Sequence, residues 1–233
     1  MSDSSLVGMM IGFTILIIAF AFEKKQTRVE LGMFKTTAYH EAGHAVIAIY
    51  LGIRCYNILL NLDANDNKIN KNIIPLGYAS VESRFKKEMK FIYDFIRGVN
   101  LNIHLLPYSE ELLDYAKKSL LIHLAGEITL KEILEMPHEQ MYIISNRIAP
   151  NGDDLHRSES LVDYLQKMEY LITMESAMDE VSKIINDHKE VRAAIHFLAD
   201  ILMKNPGRHI LENEIIDNLK MCNFFDVYKK ELQ

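Results

Sequence analysis

Two histidines with a glutamate between them are the residues of this 233-residue chain best suited to chemistry. The stretch reads His40-Glu41-Ala42-Gly43-His44. On a helix, residues four apart share one face at about 6 Å, so both imidazoles could bind one zinc ion. Zinc lowers the pKa of a bound water to about 7, and Glu41 could accept the proton as that water attacks a carbonyl. The pattern therefore predicts a mononuclear zinc hydrolase site with Glu41 as the base.

The residues around this motif favour a buried site over a solvated helix face. The flanking side chains are small or apolar, namely Ala38, Ala42, Gly43, Ala45 and Val46. A solvated face would carry more Lys and Glu, and buried polar groups need partners, which a metal ion supplies. Gly43 weakens a helix by about 1 kcal/mol relative to Ala, which indicates that something approaches closely there.

The elements that position the motif are predicted to be mainly helices, with one small sheet near the start of the chain. Phe34 to Leu51 has the pattern of a helix that Gly52 ends. Ile53 to Leu62 is predicted to be a strand, and a second strand is predicted from about Ile73 to Val81. Residues 83–106 are ambiguous, with a basic helix followed by a strand as the prediction. Further helices are predicted at 109–135, at 155–170 and within 174–220, with a loop at 136–153 and a break at 205–207.

An apolar segment lies near the N-terminus. Leu6 to Phe22 is a run of 17 residues without a charge. As a helix it would reach about 26 Å, close to the hydrocarbon core of about 30 Å. Lys24, Lys25 and Arg28 follow the run, and such an excess of basic residues is typical of the cytoplasmic side. We therefore predict a single-pass membrane protein that faces the cytoplasm, with a buried first helix of the globular domain as the alternative.

Charge and cysteine content restrict the classes of function. The chain has 26 Lys and Arg against 32 Asp and Glu, a net charge of -6, which predicts no nucleic-acid partner. Its two cysteines, Cys55 and Cys222, lie far apart and outside any CxxC pattern. They predict neither a disulfide framework nor a thiolate zinc site.

The stretch from Thr37 to Val46 resembles the zinc helix of the FtsH-type proteases, membrane-bound zinc peptidases fused to an AAA ATPase. The likeness continues in order over residues 34–220, through Ile73-Ile74-Pro75 and Gly77-Tyr78, Ser109 to Leu113, Leu124-Ala125-Gly126, Asp153-Asp154-Leu155, Leu198 to Leu202, and Glu212 to Ile215. The resemblance implies a mainly α peptidase domain with a small β-sheet near its start, preceded by one hydrophobic helix. The chain is accordingly divided into an anchor with its basic flank at 1–28, a zinc metallopeptidase domain at 29–223 and a tail at 224–233.

The resemblance also implies a third zinc ligand. In the family, the residue before the Leu or Ile of this segment is the carboxylate ligand, which selects Asp154. Asp153 then suits the cap of a helix and is the fallback ligand. One Zn2+ per chain is thus expected, held by His40, His44 and Asp154. The other candidates for the third ligand are four histidines: His104, His123, His138 and His156. His123 lies within an apolar helix, which is typical of a core residue or of a residue that hydrogen-bonds a ligand.

The chain departs from the family pattern in four places. It contains no phosphate-binding Gly-x-x-x-x-Gly-Lys-Ser/Thr loop, so no ATPase is expected in it. Ala149-Pro150 stands where the family has Thr-Gly, and Glu127 stands where it has Arg. Residues 82–108 and 135–148 are longer than the family usually has. These departures bear on substrate delivery, substrate binding and the loop that carries the third ligand.

The function expected from the sequence is that of a zinc metalloendopeptidase that is ATP-independent on its own. Its substrates would be peptides or unfolded proteins, and its partners the membrane through residues 6–22 and a separate ATPase or further copies of the chain. One alternative is a non-catalytic partner or regulator of a full-length FtsH-type protease at the membrane. Another is a zinc hydrolase that acts on a non-peptide amide, which the motif alone does not distinguish.

Overall fold

The computed structural model describes residues 32–61, 76–95, 106–137 and 153–225. Helices make up most of this part of the chain, and three strands form one small sheet, which confirms the predicted fold class at this level. In chain order the elements are α1 (residues 32–50), β1 (Cys55–Asn61), β2 (Leu76–Val81), α2 (Lys86–Phe95), α3 (Glu110–Leu134), α4 (Asp153–Lys167), α5 (Met174–Asp187), α6 (Lys189–Lys204), β3 (Ile210–Leu211) and α7 (Glu212–Met221).

The sheet is antiparallel and has the strand order β2-β1-β3. Ile58 in the central strand β1 is paired with Ala79 of β2 on one side and with Ile210 of β3 on the other. The β1 side chains that enter the core are Cys55, Ile58 and Leu60. The two predicted strands are therefore confirmed where the structure describes them. β3 was not predicted, because two residues are too few to show the alternation that indicates a strand.

Helix α3 is the central helix of the fold and packs against α4 and α5. It begins at Ser109, whose side chain accepts a hydrogen bond from the backbone N–H of Leu112 at 3.1 Å. It ends at Glu135, which adopts the left-handed conformation with a φ of 51°. The buried residues of α3 extend along nearly its whole length, so other elements pack against this helix from end to end.

Helix α1 crosses α3 closely, at a glycine on each helix. A Cβ added at Gly43 would lie 2.9 Å from the carbonyl oxygen of Ala125 and would also overlap the Thr129 side chain. A Cβ added at Gly126 of α3 would lie 2.6 Å from Nε2 of His40. Real Cβ atoms do not come this close to other atoms, so both positions need glycine. The close approach predicted from Gly43 is confirmed, and α3 is the element that makes it.

The prediction of a single-pass membrane protein that faces the cytoplasm is wrong, as judged by the helices that the structure describes. Among the helices of residues 32–61, 76–95, 106–137 and 153–225, none combines the length and the apolar character that crossing a bilayer requires. The longest of them, α3, carries charged residues from its first turn to its last turn. The run at 6–22 and the predicted anchor region 1–28 lie outside the described residues.

Candidate metal centre

Three of the predicted site residues come together between two helices. His40 and His44 lie one turn apart on α1, and Asp154 lies in the first turn of α4. The Nε2 atoms of the two histidines are 3.0 Å apart. Oδ2 of Asp154 lies 3.6 Å from Nε2 of His40 and 3.4 Å from Nε2 of His44. One ligand atom from each residue falls within 4.8 Å of the others, so the group could hold a metal ion.

The His44 ring is fixed in the orientation that a ligand needs. Its Nδ1 lies 2.6 Å from the carbonyl oxygen of Ile122 on α3. A carbonyl oxygen only accepts hydrogen bonds, so Nδ1 carries the proton and donates it. In the neutral ring the lone pair is then on Nε2, which faces His40 and Asp154. A backbone carbonyl that orients an imidazole in this way is typical of metal-binding histidines.

The His40 ring is held by packing rather than by hydrogen bonds at its outer edge. It lies against Gly126, and its Nδ1 is buried without a hydrogen-bond partner in the part of the chain that the structure describes. Its polar contacts are at Nε2, on the side of His44 and Asp154. Two imidazole nitrogens and a carboxylate oxygen that face one point match the donor set of a zinc site. The residues present therefore fit a metal ion.

Glu41 lies beside this group, under strand β2. Its side chain is buried, with 5% of the residue exposed. A Cβ added at Gly77 of β2 would lie 2.6 Å from Cγ of Glu41 and 2.8 Å from Cγ2 of Thr37. Only glycine lets the strand pass this close to the carboxylate. Burial raises the pKa of Glu41, His40 and His44 oppose that effect, and a hydrogen bond from the backbone of Ala79 also opposes it.

The charges of the group depend on one another. Burial disfavours the charge of Asp154, but the nearby His44 and the hydrogen bond from His123 outweigh it, so the pKa of this carboxyl lies well below its usual range. Burial lowers the pKa of His44, but the Asp154 carboxylate outweighs it, and the net effect raises that pKa to about 9. The site thus attracts positive charge, which a proton supplies in the metal-free protein.

The structure separates the candidates for the third position. Asp154 joins the two histidines, whereas His123 lies behind it, with Nδ1 2.8 Å from Oδ1 of Asp154. His123 is thus a partner of the carboxylate, one of the two roles that its place in an apolar helix suggested. His156 is not in the group that could hold a metal. The remaining candidates, His104, His138 and the side chain of Asp153, lie outside what the structure describes, as does Ala149-Pro150.

Three residues that shape the site were not predicted from the sequence. Gly77 and Gly126 allow β2 and α3 to approach Glu41 and His40. Tyr93 of α2 places its hydroxyl 3.2 Å from Nε2 of His123. The glycines stood in the segments used for the resemblance, but the sequence does not say which side chain each one faces. Tyr93 lies in the long region 82–108, where no pattern marked it.

Comparison with known proteins assigns no family and no function to the chain. No protein-family model matches the chain, and the search of curated proteins finds no match. The case for a function is therefore made by the residues of the site and by the distances between them.

Proposed function

We propose that this chain is a zinc-dependent metalloendopeptidase in which His40, His44 and Asp154 hold the metal and Glu41 is the base. The observation that carries the proposal is the convergence of three ligand atoms within 4.8 Å beside a buried glutamate. A helix that merely carried two histidines would not need a carboxylate from another element facing both rings. Zinc is the metal we propose because two histidines four residues apart on one helix, with a glutamate directly after the first, are typical of zinc peptidases. Two imidazoles and one carboxylate without such a glutamate also suit iron.

The protein supplies the base and the metal supplies the activation. Bound by these three residues, zinc would act as a Lewis acid on the scissile carbonyl and lower the pKa of a bound water. Glu41 would take the proton of the attacking water on its carboxylate and give it to the departing amine. Burial raises the pKa of Glu41, which favours the protonated carboxyl from which the amine would receive its proton.

Strand β2 supports a peptide as the substrate. It is an edge strand that pairs with β1 alone among the described strands, and it passes directly over Glu41 at Gly77. An extended peptide can add to such an edge through main-chain hydrogen bonds, which hold any sequence in an extended form. Binding of this kind would bring a peptide bond near the glutamate without a deep specificity pocket.

The test is the hydrolysis of an unfolded protein, such as casein, by the full chain loaded with zinc. Glu41→Gln keeps the size of the side chain but removes the base, so zinc content should stay at that of the unaltered protein while hydrolysis is lost. Glu180→Gln is the matched control, because the Glu180 side chain on α5 is 41% exposed and pairs only with Lys117 among the described ion pairs. ATP should have no effect, since the chain contains no phosphate-binding loop.

Two results would show that the chain is not a peptidase of this kind. One is hydrolysis by Glu41→Gln within about tenfold of the unaltered chain, because loss of a general base costs about 100-fold or more. The other is a zinc-loaded chain that cleaves neither casein nor short peptides.

A further inference from the structure

Two side chains stand in line behind the carboxylate of Asp154. His123 of α3 places Nδ1 2.8 Å from Oδ1 of Asp154, and Tyr93 of α2 places its hydroxyl 3.2 Å from Nε2 of His123. The other carboxylate oxygen, Oδ2, is the one that faces His40 and His44. The two oxygens of Asp154 therefore have different partners, one in the protein scaffold and one in the metal group.

The hydrogen bonds of this line have a defined direction. The ionised carboxylate of Asp154 only accepts, so Nδ1 of His123 donates to Oδ1. In the neutral ring Nε2 is then an acceptor, and the Tyr93 hydroxyl donates to it. The Tyr93 hydroxyl thus donates to Nε2 of His123, and Nδ1 of His123 donates to Oδ1 of Asp154. Oδ1 is therefore occupied by its hydrogen bond with His123.

The line is anchored on three helices. The rings of Tyr93 and His123 meet edge to face, with centroids 5.9 Å apart. The guanidinium of Arg157, on α4 with Asp154, lies 5.3 Å from the centre of the Tyr93 ring. Helix α2 packs against α4, and α3 packs against α4 as well. Movement of the Asp154 carboxylate would therefore require movement of side chains that α2 and α3 hold.

We infer that Tyr93 and His123 are positioning residues that commit Asp154 to binding the metal through Oδ2 alone. This inference rests on the metal site of the proposed function. A carboxylate limited to one oxygen gives the site two nitrogens and one oxygen from the protein. That small donor set suits zinc and leaves a position open for water, whereas calcium needs six to eight oxygen ligands. The Tyr93–His123 pair thus contributes to the choice of metal as well as to its affinity.

The test measures metal binding by the full chain, with no hydrolysis involved. Zinc affinity is measured by competition with a chelator, and the coordination is followed by the visible absorption of the cobalt-loaded protein. His123→Ala removes the hydrogen bond to Oδ1, and His123→Asn restores an N–H near the position of Nδ1. Tyr93→Phe removes only the hydroxyl. Tyr50→Phe is the matched control, because its hydroxyl lies 3.1 Å from Nε2 of His188, in the same kind of pair at the end of α1.

We expect His123→Ala to weaken zinc binding about 10- to 100-fold, the usual effect of removing a partner of a ligand. Its cobalt absorption should become weaker, because the freed Oδ1 raises the coordination number. His123→Asn should recover most of the affinity and the absorption, and Tyr93→Phe should lose about threefold or more. Tyr50→Phe should bind both metals like the unaltered chain.

Three results would overturn the inference. The first is zinc binding by folded His123→Ala within about threefold of the unaltered chain. The second is a His123→Asn variant no better than His123→Ala, which would mean that His123 acts only by packing. If His123→Ala does not fold, unchanged affinity and absorption in Tyr93→Phe would have the same meaning. If the unaltered chain itself binds no zinc, the metal site of the proposed function is wrong. This outcome is distinguished from the others because it is seen before any variant is compared.

Discussion

His44 combines two demands on one imidazole ring. Its Nδ1 donates to the carbonyl of Ile122, which leaves Nε2 for the metal group. The neighbouring carboxylate of Asp154 nevertheless raises the pKa of this histidine to about 9, against the opposing effect of burial. In the metal-free protein the ring is therefore protonated at neutral pH, and a metal ion must displace that proton before it binds.

The first prediction is a pH dependence of zinc binding. Between pH 7 and pH 9 the metal-free chain carries the His44 proton, so binding should release about one proton and the affinity should fall about tenfold for each pH unit below 9. Calorimetry at pH 7 in two buffers with different ionisation enthalpies counts the released proton. An equal zinc affinity at pH 7 and pH 9 would mean that His44 is neutral in the metal-free site.

At the scale of elements, the site depends on how closely α3 and β2 approach α1. Gly126 of α3 contacts the ring of a proposed ligand, His40, and Gly77 of β2 contacts the proposed base, Glu41. Each glycine leaves room for one functional side chain. The two contacts can therefore be altered separately, one on the metal side and one on the base side.

The second prediction concerns the helix crossing. Gly126→Ala should displace the His40 ring and weaken zinc binding, with a cost in stability of about 1–3 kcal/mol from overpacking. Chelator competition and urea unfolding measure the two effects. Gly32→Ala is the control, because no atom of the described residues lies within 4 Å of a Cβ there and the helix should gain up to about 1 kcal/mol. If both variants bind zinc equally well, the crossing does not position His40.

The third prediction concerns the strand above the base. Gly77→Ala should push against Glu41 and lower kcat about tenfold or more, since a base out of hydrogen-bond reach loses most of its effect. Zinc affinity should stay the same, because the atoms nearest to a Cβ at Gly77 belong to Glu41 and Thr37 and not to a proposed ligand. Kinetics on a fluorogenic peptide together with metal analysis separate the two quantities. A loss of zinc without a loss of kcat per bound zinc would contradict this division between β2 and α3.

Local patterns within single elements could be predicted from the sequence, whereas contacts between distant elements could not. The spacing of His40 and His44 and the helical pattern of α3 are local features, so helix α1 with its two histidines and helix α3 could be predicted. Asp154 was predicted as the third ligand from its position in the resemblance to the FtsH-type proteases. The contacts of Gly77 and of Tyr93 join elements distant in sequence, and no local rule gives them.

At the scale of the whole molecule, four elements meet at one point. Helix α1 carries the histidines and the glutamate, α4 carries the aspartate, and α3 and β2 support them from two sides. The buried core surrounds these elements and continues through α5, α6 and α7. The prediction of a cytoplasm-facing single-pass protein rested on a segment that none of these elements includes, and it is wrong on the finding for the described helices.

The proposed zinc peptidase is tested most sharply by titrating the metal-free full chain with zinc while the hydrolysis of an unfolded fluorogenic substrate is followed. We expect no hydrolysis without metal, a linear rise with added zinc, and a plateau at about one zinc per chain, as a mononuclear site requires. Hydrolysis by the metal-free chain, or a bound zinc that brings no hydrolysis at any ratio, would contradict the claim.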